Sequence, residues 1–127
     1  MSLKIYPGIT LLKFTPENLR RHQSVGHEGI VTIRDKPLEY FQLYFVCGMR
    51  VYICLSSQPI EFTRLTLNDA RVEGFRSEGE FKKEIRRIYG PVKTVHQSLL
   101  TRVRGISQQE IEAMEKTFRH EVETNGF

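Results

Sequence analysis

The sequence predicts an α+β domain: a small, mostly antiparallel barrel or curled sheet with helices at its periphery. Three observations predict it. Strand-like runs cluster in the middle of the chain, between residues 30 and 65. Two amphipathic helix patterns each open on a serine-led capping box, at Ser77 and Ser107. Strands and helices do not alternate regularly, which argues against a doubly wound parallel sheet.

The elements follow in order. Residues 9–14 read as a short buried strand. Thr15 and Pro16 open a helix, because threonine caps free N–H groups and proline suits the first helical position; the helix ends before Gly26. Residues 30–35 alternate, with Val31 and Ile33 on one face and Thr32 and Arg34 on the other. The aromatic run 40–46 and the alternating run 50–55 predict a hairpin turning near Gly48. Residues 60–65 read as a further strand with Pro59 at its start, where a missing donor does least harm. Thr66 to Ala70 is a capped turn stopped by Gly74. Phe81, Ile85, Ile88 and Tyr89 share one face of the helix that follows, which Gly90 and Pro91 end. Residues 92–104 carry β-branched residues and no breaker, and read as one strand or a bent pair. The last helix aligns Ile111, Met114, Phe118 and Val122. The domain reading is 1–104 for the sheet domain and 105–127 for an acidic amphipathic helix packed on it or extending from it.

With 127 residues, 39% hydrophobic and 27% charged, the chain has the size and composition of one folded domain. No run approaches the ~20 apolar residues of a membrane span, and residues 1–6 lack a signal peptide's apolar middle. Two cysteines, Cys47 and Cys54, are too few for a disulfide scaffold or a four-cysteine zinc site, so the expected compartment is reducing and cytoplasmic. The net charge of +4 is unevenly spread: residues 76–104 carry eight Lys/Arg against three Glu, and 105–127 carry two against five. A basic stretch of this kind attracts phosphate backbones, although a solvated helix face has the same composition.

Histidines 22, 27, 96 and 120 are widely separated, so no metal site is expected. No nucleophile elbow and no glycine-rich phosphate loop is present, and both cysteines read as small core residues. Two segments carry chemistry. In the first, Thr32 and Arg34 project a hydroxyl and a guanidinium from one strand face, suited to a phosphate or a base edge. In the second, Glu73 stands near a helix C-terminus, where the helix dipole disfavours a carboxylate.

Together these segments resemble the ASCH domain of the PUA-like superfold. The resemblance rests on Thr32-Ile33-Arg34, Arg50-Val51-Tyr52-Ile53, Leu65-Thr66 with Asp69-Ala70, Glu73-Gly74-Phe75, and Arg87-Ile88-Tyr89-Gly90-Pro91. It covers about residues 9–104 and implies a PUA-like β-barrel with flanking helices, whose cleft holds RNA or a nucleotide. Some members of that family are amidohydrolases that deacetylate N4-acetylcytidine, with a lysine, a threonine and a glutamate in the site. The threonine carries over to Thr32 and the glutamate to Glu73. Where the lysine belongs, this chain has Gly29 or, with a one-residue shift, Glu28.

The expectation is therefore a noncatalytic module for RNA or a nucleotide. The alternatives are an amidohydrolase on a modified nucleoside, using Thr32 and Glu73, and a protein-interaction module built on the last helix. The expected ligand-binding residues are Thr32, Arg34, Lys36, Arg50 and Glu73, lining one polar cleft. Lys82, Lys83, Arg86, Arg87 and Lys93 are expected to meet nucleic acid; Tyr40, Tyr44 and Tyr52 are candidates to stack bases, although core and sheet packing is the commoner use of such aromatics. Lys13 and Lys36 are the lysines nearest the site in sequence. No cofactor and no membrane partner is expected.

Overall fold

The computed structural model describes residues 8–125, with side chains through residue 120. The elements are β1 (Ile9–Leu11), α1 (Pro16–Val25), β2 (Gly29–Arg34), β3 (Leu43–Phe45), β4 (Val51–Glu61), α2 (Leu67–Val72), α3 (Glu78–Tyr89), β5 (Thr94–Arg102) and α4 (Gln108–Asn125). A 3₁₀ turn, Phe62–Arg64, follows β4. The signal-peptide reading of residues 1–6 and the place of Val122 on the α4 stripe lie outside these described residues.

The five strands form one mixed sheet in the order β1-β3-β4-β5-β2. β1 pairs parallel with β3; the other three pairings are antiparallel. The sheet does not close into a barrel. β1 and β2 remain edges and are not joined by a strand pairing. What spans them is a side chain: the Arg34 guanidinium on β2 donates to the Lys13 carbonyl, two residues beyond β1, at 2.8 Å.

The hairpin forms as its alternation dictates, with Val46 N–H donating to the Arg50 carbonyl and Gly48 at φ +83°. The runs 50–55 and 60–65 are not separate strands. β4 is continuous through Pro59 and stays paired with β5 across a bulge between Cys54 and Ser56. Pro59 therefore sits inside the strand. Phe62 and Leu65 leave the period-2 pattern for the 3₁₀ turn, where both remain buried. Cys54 is buried inside the curl and Cys47 packs on the α4 side, with no disulfide between them.

Three apolar clusters hold the layers together. Inside the curl, Ile30, Tyr52, Cys54 and Leu100 pack on Leu12, Phe14 and Tyr44. Outside it, Phe81 and Ile85 of α3 pack on Ile33 and Val95. At the β3–β4 end, Ile111, Met114 and Phe118 of α4 cover Phe45 and Val51. Glu115 adds a 2.7 Å bond from the Gly48 N–H, so α4 packs on the sheet at the hairpin. Among the described residues, no helix is long and apolar enough to cross a membrane.

Phe118 is 2% exposed, and its ring stacks on Phe45 at 5.4 Å between centroids. Phe118→Ala is expected to cost about 3–5 kcal/mol, from lost transfer energy plus the cavity left behind. Urea unfolding measures this. A loss under ~1 kcal/mol would mean that α4 is not part of the cooperative unit.

Candidate functional site

The gap between β2 and the chain beyond β1 opens into a cavity of about 300 Å³. Thr32 and Arg34 enter it from the inner face of β2, Lys13 and Phe14 from the opposite side, Asn18 and His22 from α1, and Ile88 and Tyr89 from α3. Glu73 and Phe75 come from the end of α2. Thr32, Arg34 and Glu73 thus share one cleft.

The position of Glu73 has a local cause at each end of α2. Thr66 and Asp69 form a reciprocal capping box at the start. At the end, Gly74 N–H donates to Arg71 and Phe75 N–H to Ala70, the paired bonds of a Schellman motif. Gly74 takes φ +86°, and a Cβ there would stand 3.0 Å from that of Arg21, so this turn requires glycine. Glu73, the residue before it, is turned inward to the free edge of β2. Its Oε1 accepts the Ile33 N–H at 3.2 Å.

Glu73 is buried, and Oε2 has no hydrogen-bond partner. Burial pushes its pKa up to about 8, against the Ile33 bond and the positive charges of Arg34 and Arg21; Asp69 pushes the same way as burial. The carboxyl is therefore mostly protonated at neutral pH. His22 moves oppositely. Burial, helped by Arg34 and Arg21, lowers its pKa to about 4 and keeps the imidazole neutral. Arg34 lies over the Phe14 ring at 4.8 Å, with Nε buried and unpartnered. Burial lowers its pKa, while Tyr89, Glu73, Asp35 and Tyr44 favour the cation.

Other expected residues lie elsewhere. Lys36 is exposed, and neither it nor Arg50 lines the cleft. Arg50 stands at the start of β4, within electrostatic reach of Tyr52. Lys82, Lys83 and Arg86 line a separate groove beside Phe62, with Arg86 over that ring at 4.6 Å and Lys82 paired to Glu78 at 3.0 Å. Arg87 is turned away from that groove into a two-bond pair with Glu84, both bonds at 2.7 Å. Lys93 is exposed just before β5. Of the three candidate stacking tyrosines, Tyr44 and Tyr52 are buried. Tyr52 donates to the His27 carbonyl at 2.8 Å, and burial pushes its pKa up to about 12. Only Tyr40 is exposed.

His22, Phe14 and Asn18 were not anticipated as cleft residues. The Thr15 cap predicts the helix that carries His22 and Asn18, but only tertiary packing shows which face meets the cleft. Gly29 lies at the outer start of β2 and does not line the cleft. Glu28 is held by Arg102 at 2.8 Å and by Arg104. Neither position supplies an amine to the site, whereas Lys13 does line it. Among the described residues, no group of three or more His, Cys, Asp or Glu is placed to hold a metal ion. Comparisons with protein-family models, with curated proteins and with solved structures give no match.

Two of the buried ionisable groups, Glu73 and His22, predict a specific pH dependence. Folded Glu73 keeps its proton to about pH 8, against an ordinary value of 4.5, so its contribution to stability is lost as pH rises through that window. His22, at about 4 against an ordinary 6.5, loses its contribution as pH falls from 6.5 to 4. Of the two, only Glu73 acts between pH 6.5 and 8. Stability is expected to fall there by roughly 2 kcal/mol, and Glu73→Gln is expected to abolish most of the fall. Urea midpoints at the two pH values check this. Equal falls in both proteins would contradict it.

Proposed function

We propose that the chain is a noncatalytic binding module of ASCH-like type, whose cleft holds one nucleobase or nucleoside, free or within RNA. The observation that carries this reading is the pair of buried, unpartnered polar atoms in the cleft, Glu73 Oε2 and Arg34 Nε. A buried polar group without a partner is costly, and a ligand that supplies the partner recovers that cost. Arg34 offers a donor. A protonated Glu73 offers an O–H donor beside acceptor oxygens. Thr32 and neutral His22 add groups that donate or accept. The lactam or amidine edge of a base carries complementary donors and acceptors side by side. Phe14, Phe75 and Tyr89 supply apolar walls for a flat ring, and about 300 Å³ has room for one such unit.

Outside the cleft, the groove of Lys82, Lys83 and Arg86 suits the phosphates of a bound strand. Arg87 contributes less, since Glu84 and Glu17 already hold it.

Lys13 is the observation that favours the second reading, an amidohydrolase. Lys13 is exposed at the mouth of the cleft, apart from the buried wall that Thr32 and Glu73 form. Binding without turnover is therefore the better-supported reading.

Calorimetric titration with pyrimidine and purine nucleosides tests the cleft. Arg34→Ala is expected to weaken binding roughly ten- to a hundred-fold, the loss of a hydrogen bond to a charged group. Incubation with N4-acetylcytidine is expected to yield no cytidine above background. No nucleoside binding at millimolar concentration would overturn the proposal, and turnover lost in Lys13→Ala would replace it with the hydrolase. For the groove, Lys83→Gln is expected to reduce the slope of log affinity for single-stranded RNA against log salt by about 0.7, and Arg87→Gln by less. The reverse order would remove the groove from the interface.

A further inference from the structure

The loop between β2 and β3 carries a conformation that its sequence resists. Phe41 has φ +61° and is the one non-glycine residue with positive φ among the described residues. It occupies the third position of a turn closed by the Gln42 N–H on the Glu39 carbonyl, at 3.2 Å. Positive φ at that position calls for glycine or asparagine, and a bulky side chain there is an outlier. The backbone nonetheless holds it firmly. Phe41 N–H donates to the Cys54 carbonyl at 2.8 Å, and Cys54 N–H donates to the Gln42 carbonyl at 3.1 Å. Two residues thus face one across the ladder, as in a bulge.

The strained residue is not spent on the core. Phe41 is 58% exposed and Tyr40 is 67% exposed. Their rings stack on each other, with centroids 4.1 Å apart and planes 21° apart. Strain of this kind, combined with an exposed apolar payload, points to function rather than stability. A chain of interactions runs from this loop toward the cleft. The Glu39 N–H, one residue before Tyr40, donates to the Tyr44 hydroxyl at 3.1 Å, and Tyr44 is within electrostatic reach of Arg34.

We infer that the Tyr40–Phe41 pair is a stacking platform for an unpaired base of single-stranded RNA, next along the strand from the nucleotide in the cleft. The inference rests on the nucleotide reading of that cleft. Two offset-stacked rings leave an outer ring face on which a base continues the stack, and base–aromatic stacking tolerates any sequence because every base has a π-face. A protein partner fits less well. Two side chains fall far short of the ~800 Å² per side that a stable protein interface buries. The Lys36 ammonium on the same loop suits the strand's phosphates, although Asp35 and Glu39 flank it and oppose a purely electrostatic attachment. Stacking then carries the affinity of this subsite.

The test compares an eight-nucleotide single-stranded RNA with a mononucleoside, using the full chain. Tyr40→Ala and Phe41→Gly are each expected to weaken the oligonucleotide about tenfold, at the modest end of base–aromatic stacking. Both are expected to leave mononucleoside affinity unchanged. Phe41→Gly relieves the positive φ, so its thermal midpoint is expected to equal or exceed that of the native chain while its RNA affinity falls. A merely structural aromatic pair would not give that opposition. Unchanged oligonucleotide affinity in both variants would overturn the platform and leave the cleft reading standing. Absence of binding by either probe to the native chain would overturn both. Self-association lost in Phe41→Gly, with RNA affinity unchanged, would give the surface to a second copy and overturn the platform.

Discussion

The bond from the Ile33 N–H to Glu73 is the contact on which the site depends. β2 is a sheet edge, and the Ile33 N–H points away from β5 toward a buried gap. A buried N–H without a partner is costly, and here no strand arrives to supply one. A carboxyl delivered from the end of α2 supplies it instead. That solution brings an ionisable group into an apolar cavity, where burial holds the proton on the carboxyl well above its ordinary range. It also leaves one oxygen of the carboxyl without a partner, facing space that a ligand can fill. The free edge, the raised pKa and the unsatisfied oxygen are consequences of one unpaired strand.

The same unpaired strand explains Arg34. A closed barrel would pair β2 with the chain beyond β1 and cover the seam with backbone. Here the Arg34 guanidinium spans it, bonded to the Lys13 carbonyl and resting on Phe14. One end of the guanidinium is committed to structure, and Nε remains available. His22 completes the pocket wall beside Arg34, and it and Glu73 are both neutral near pH 7. Such a wall suits an uncharged ring better than a bare phosphate. On the proposed reading, the phosphates of a bound strand would instead meet Lys83 and Arg86, exposed on α3.

Much of the fold was legible in the residues. Thr15-Pro16, Thr66 with Asp69, and Ser77 each start a helix where capping chemistry places one. Gly74 and Gly90 end helices with positive φ. Thr32 and Arg34 share a strand face because the side-chain period of a strand is two, and both line the cleft. Other features depended on distant partners. Pro59 reads as a strand start, but pairing with β5 carries β4 straight through it. Tyr44 and Tyr52 suit either base stacking or core packing by sequence, and the curl of the sheet, which wraps around them, makes them core. Closure of a barrel is decided by whether two distant edges meet, which no local pattern encodes. His22 was illegible for the same reason: its helix was predictable, its neighbours were not.

The measurement closest to the central claim is a carbon-13 NMR titration of the glutamate side-chain carboxyls, free and with saturating nucleoside. In the free chain one carboxyl, lost in Glu73→Gln, is expected to titrate near pH 8. The nucleoside is expected to perturb this resonance and the amide of Ile33 more than any other glutamate. A full set of glutamates titrating below pH 6 would contradict the buried, protonated edge contact. A nucleoside that binds while leaving Glu73 and Ile33 unmoved would contradict the cleft as its site.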